Sequence, residues 1–85
     1  MSMVQQLILA VANAERQIDG QIGQLTAYVT ELDHVTGRVS SALAGSTQEH
    51  ERQMLQQLAA TRAEVRQSIE QLQATKGMLA HVRLI

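Results

Sequence analysis

Between residues 4 and 43 an apolar side chain returns every seven positions without interruption, in the row Val4, Val11, Ile18, Leu25, Leu32 and Val39. A second row, Leu7, Ala14, Gln21, Tyr28, Val35 and Ala42, runs along one side of it. A third, Ile8, Glu15, Ile22, Val29, Thr36 and Leu43, runs along the other. Three adjacent rows in every seven residues make the broad apolar face of a helix that packs in a bundle. This pattern constrains shape and association strongly and chemistry very little.

The rest of the composition agrees with long helices. The 85 residues include no Pro, five Gly, twelve Gln and a single aromatic, Tyr28. Compact mixed folds fill their cores with several aromatics, whereas aliphatic seams do not need them. The length suits one domain, residues 1–85. With no cysteine, disulfide and thiol chemistry are excluded. The net charge of −1 argues against nucleic acid or an anionic membrane as partner. No run approaches the ~20 apolar residues of a membrane span, and Met1-Ser2-Met3 lacks the basic start of a signal peptide. The expected location is therefore cytoplasmic, or secreted without a cleavable signal peptide.

Helix boundaries are legible from capping residues. Ser2 with Gln5 three positions on forms a capping box, and the first helix is expected over about 3–44. Gly20, Gly23 and Gly37 fall inside it, away from the apolar face. Gly45 supplies a stop and Ser46, with Glu49, a second capping box, so Leu43, Ala44, Gly45 and Ser46 read as a tight turn. A connection this short folds the second helix, about 47–82, back antiparallel to the first. Its stripe is narrower: Met54, Leu55, Leu58, Val65, Ile69, Leu72, Met78, Leu79 and Val82, with Arg62 and Lys76 interposed. Those two cations either snorkel at the seam edge or set register by meeting a partner's carboxylates.

The expected fold is thus all-α, an antiparallel two-helix hairpin. A hairpin would leave part of the three-row face wet, so it is expected to associate into a four-helix bundle. The expected partner interface comprises Val4, Leu7, Ile8, Val11, Ile18, Ile22, Leu25, Tyr28, Val29, Leu32, Val35, Val39 and Leu43 of the first helix. From the second it takes Leu58, Val65, Ile69, Leu72 and Leu79. Tyr28, at mid-helix, either packs at the bundle edge with its hydroxyl in water or anchors an interface.

The sequence carries no assembled catalytic or metal-binding pattern. Glu31-x-x-His34 has di-iron spacing, but both residues lie off the apolar face and the second helix offers no counterpart. His50 and His81 read as surface residues. Ser40, Ser41, Ser46 and Thr47 have no His–carboxylate relay near them, and no phosphate-binding or dinucleotide fingerprint occurs. The reading is a non-enzymatic chain with no cofactor and no metal.

This arrangement resembles the small Trp-x-Gly helical hairpins of type VII secretion, the early-secreted-antigen-like family. Leu43-Ala44-Gly45 stands at the place of that family's turn motif, and Ser46–Leu79 has the Gln- and Glu-rich look of its second helix. Leu43 replaces the motif's Trp, and the family's C-terminal Tyr-x-x-x-Asp/Glu export signal is absent from His81-Val82-Arg83-Leu84-Ile85. The resemblance implies a homo- or heterodimer partner, or a targeting chaperone that binds the helical domain of a larger secreted effector. The alternatives are a small chaperone or structural component of a type III-like secretion machine, and a homo-oligomeric structural coiled coil.

Overall fold

In the computed structural model, residues 2–44 and 48–84 are described. They form two helices, α1 (Met3–Ala42) and α2 (Glu49–Leu84), lying against each other along their length. The result is a rod of 65 × 15 × 14 Å with a radius of gyration of 19.3 Å. A compact domain of this length would have a radius near ~12 Å. The expected all-α hairpin is therefore the observed one. Gly45 and Ser46, and with them the glycine stop and the second capping box, lie outside the described residues.

The start of α1 is the predicted capping box. Ser2 Oγ accepts from the Gln5 N–H at 3.1 Å, and Gln5 Oε1 accepts from the Ser2 N–H at 3.2 Å. The helix stops at Ala42, two residues earlier than the sequence suggests. The Leu43 N–H still donates to the Val39 carbonyl, but the Ala44 N–H reaches back only three residues, to Ser41. This tightening closes the last turn. Helix α2 begins at Glu49, with Glu49 and Glu51 at the positive end of its dipole. It continues two residues past the expected end, and His81 and Arg83 in the last turn suit the negative end.

From Val11 onward, the first and third rows of α1 are buried or half-buried, from Val11 and Glu15 through Val39 and Leu43. On α2 the facing rows are Leu55, Arg62, Ile69 and Lys76, and Leu58, Val65, Leu72 and Leu79, all half-buried. The core is thin: Val11, Val29 and Leu32 are the buried apolar residues, and no described side chain is fully enclosed. The second row of α1 stays outside, apart from half-buried Ala14.

Among the described residues, three ion pairs accompany this choice. Arg62 Nε donates to Asp33 Oδ1 at 2.6 Å, and Arg62 Nη2 lies 3.4 Å from Oδ2. Lys76 Nζ sits 2.7 Å from Asp19, and Arg83 Nη1 lies 3.1 Å from Glu15. Asp19 and Asp33 project about 100° away from the first row and about 60° away from the third, at 3.6 residues per turn. Centring the seam between the first and third rows brings both carboxylates within reach of α2. Centring it between the first and second rows would turn them roughly 50° further away. The cations interposed in α2 therefore meet carboxylates of their own chain.

Candidate interaction surface

The hairpin has two long flanks of opposite chemistry. One carries Asp19, Thr26 and Asp33 of α1 beside Arg66 and Gln73 of α2, with Arg62 and Lys76 reaching across the seam. A shallow groove of about 250 Å³ opens there, lined by Thr26, Val29, Arg66, Ile69, Glu70 and Gln73. Arg62's hydrogen bond and charge hold the Asp33 carboxyl below the usual carboxylate range, with smaller help from Arg66 and His34. This flank is wet, charged and internally paired.

The other flank combines the outward second row of α1 with Met54, Thr61, Ser68, Thr75 and Val82 of α2. None of these residues, nor Leu7, Ala14, Gln21, Tyr28, Val35 and Ala42 opposite, is charged. Leu7 is 56% exposed, Tyr28 48% and Val35 38%. The hydroxyls of Thr61, Ser68 and Thr75 are already taken, donating to the carbonyls of Gln57, Glu64 and Gln71 on their own helix. Back-bonding of this kind leaves mostly carbon facing outward. The flank is thus more apolar than its sequence letters suggest.

At the open end of the hairpin this flank widens into an apolar tip. Val4, Leu7, Ile8 and Val11 approach Val82, Arg83 and Leu84 around a cavity of about 170 Å³. Met3 and Met78 are also largely exposed. Both this cavity and the 250 Å³ groove fall below the ~300–1,000 Å³ of typical small-molecule sites. Among the described residues, no group of three His, Cys, Asp or Glu side chains is placed to hold a metal ion. Among the described residues, no helix is long and apolar enough to cross a membrane.

No known family model, characterised protein or solved structure matches the chain.

The residues expected at a partner interface divide into two groups. Val11, Ile18, Ile22, Leu25, Val29, Leu32, Val39 and Leu43 line the hairpin's own seam, as do Leu58, Val65, Ile69, Leu72 and Leu79. Val4, Leu7, Ile8, Tyr28 and Val35 remain exposed. Met54, Met78 and Val82 join them from α2, the first and last by the flank and Met78 near the tip. The sequence pattern places these three only on the second helix's stripe. Met54 and Met78 sit one position from Leu55 and Leu79, about 100° around the helix, so adjacent residues cannot both turn toward one partner.

Proposed function

We propose that this chain works by association, presenting a helix-packing face to another helical protein. The single observation that carries this reading is the uncharged flank running the length of the rod, which ends in an apolar tip. Its surface supports the same view: the chain exposes 6409 Å², against about 5,000 Å² expected for a compact monomer of its mass. Exposed Leu7, Tyr28 and Val35 along that flank, together with the apolar tip, mark it as an interaction site.

The finer reading is a non-enzymatic partner or targeting chaperone in type VII-like secretion, cytoplasmic or exported without a cleavable signal. Hairpin architecture and Leu43-Ala44-Gly45 near the turn support it. In that role the flank would bind a second hairpin, or the helical domain of an exported effector that carries the export signal. The test is affinity capture of the tagged chain in its native organism, alongside Tyr28→Asp and Val35→Asp variants. A helical secretion substrate recovered by the wild type and lost from both variants is the expected result. Capture unaffected by either substitution overturns the assignment of the face.

A further inference from the structure

The open end of the hairpin holds its charge differently from the rest. Asp33 and Asp19, which meet Arg62 and Lys76, are about half exposed, so those two pairs sit in water. Glu15 does not. At 8% exposure it is the one buried charged residue among those described. It stands in the third row of α1, between Ile8 and Ile22. Its Oε1 atom is enclosed and accepts no hydrogen bond. What compensates it is the half-exposed side chain of Arg83, whose Nη1 lies 3.1 Å away. The neighbouring cations are engaged elsewhere: Arg16 donates to Asn13 Oδ1 at 2.9 Å, and Lys76 pairs with Asp19.

A buried carboxylate tied to a guanidinium at the water boundary is an asymmetric arrangement. Taking the carboxylate out of water is costly, and one counter-ion repays that cost only in part. A Leu at this place would close the seam without condition. With Glu15 there, closure depends on Arg83 staying in position. Arg83 lies in the last turn of α2, and long helical side chains lean back toward the N-terminus of their own helix. Its reach to Glu15 therefore draws that turn down onto α1. Arg83 also forms part of the wall of the 170 Å³ cavity at the tip, with Val82 and Leu84 beside it and Val4, Leu7, Ile8 and Val11 opposite. Toward the tip from Glu15, Val11 is the one other buried residue among those described. Val29, Leu32 and the pairs at Asp19 and Asp33 all lie on the far side of Glu15.

We propose that residues 80–84 of α2 act as a strap over the apolar tip, fastened by Glu15 and Arg83. The tip opens when this pair breaks, while the rest of the hairpin stays closed. The device belongs to a single chain and is independent of the association reading above. The test is residue-resolved hydrogen–deuterium exchange of the purified full chain in dilute solution, with circular dichroism to follow helix content. Arg83→Gln should speed exchange of amides at 11–18 and 76–84 by at least about tenfold, because it leaves a buried carboxylate without compensation. Amides at 25–35 and 58–69 should change by less than about twofold. Placed on Glu15→Leu, the same Arg83→Gln change should alter the open end by less than about twofold, since no buried charge remains to be served.

An unchanged open end in Arg83→Gln overturns the strap. Equal acceleration with and without Glu15 reduces it to ordinary fraying of a helix end and overturns the fastening. Acceleration spread evenly over both helices overturns the independent opening. Should Arg83→Gln alone unfold the chain, the double variant decides: recovered helix supports the strap, and persistent loss overturns it.

Discussion

Leu32→Ala is the sharpest test of which rows close the hairpin. Leu32 is 8% exposed and is one of three buried apolar residues among those described, whereas Val35, one turn further on, is 38% exposed. Truncating a buried Leu costs about 2–5 kcal/mol, depending on how far the site collapses. The neighbours of Leu32 across the seam are only half-buried and can relax, so the lower part of that range, about 2–3 kcal/mol, applies. For a chain of this size such a loss lowers the melting temperature by roughly 10–20 °C. Val35→Ala removes atoms already facing water and should cost no more than about 0.5 kcal/mol in isolated hairpins. Urea and thermal unfolding, followed by circular dichroism in dilute protein, compare the two variants. An equal loss for both at low concentration would refute the inward assignment of the first and third rows.

Two further outcomes follow from the charged flank and the glycines. Because Asp33's carboxyl is held below its usual range by Arg62, its pairing stabilises the hairpin above the unfolded-state pKa of about 3.9. That contribution is lost as pH falls through the lower folded-state value. Thermal melts of the wild type and Asp33→Asn should therefore differ at neutral pH and converge in acid, and a gap that persists in strong acid contradicts the pairing. Gly20 and Gly23 lie inside α1 where an added Cβ meets nothing within 4 Å. Gly20→Ala and Gly23→Ala should each stabilise the chain by about 0.5–1 kcal/mol in urea unfolding, and a loss would reveal a close approach to α1's outer face.

The helices were legible because capping and periodicity are local. Ser2 and Gln5 announce the start of α1 three residues apart, and seven-fold rows need no tertiary knowledge. The direction in which α1 faces its partner was not. Three adjacent apolar rows leave the helix free to turn by tens of degrees, and hydrophobicity alone does not choose between them. The orientation observed brings Asp19 and Asp33 to Lys76 and Arg62, contacts between residues far apart in sequence. Once that turn is made, most of the stripe closes the hairpin, and Leu7, Tyr28 and Val35 are left as the candidate surface. Arg62 and Lys76 looked like interruptions because their counter-ions sit on the flank of the other helix.

Those interruptions also govern sliding. Apolar rows repeating every seven residues let one helix slip past the other by a heptad, about 10.5 Å, with aliphatic contacts largely renewed. The charges repeat at twice that interval: Asp19 and Asp33 are fourteen residues apart, as are Arg62 and Lys76. A slip of one heptad in either direction sets Asp33 level with Ile69 or Leu55. It leaves Arg62 beside Thr26 or Ser40 and Lys76 beside Ala12 or Thr26. The coarser ruler of charges thus reads the finer ruler of aliphatics like a vernier. Neither one-heptad slip keeps the Asp33–Arg62 or the Asp19–Lys76 pair, so of these three alignments only the observed one lets both scales coincide.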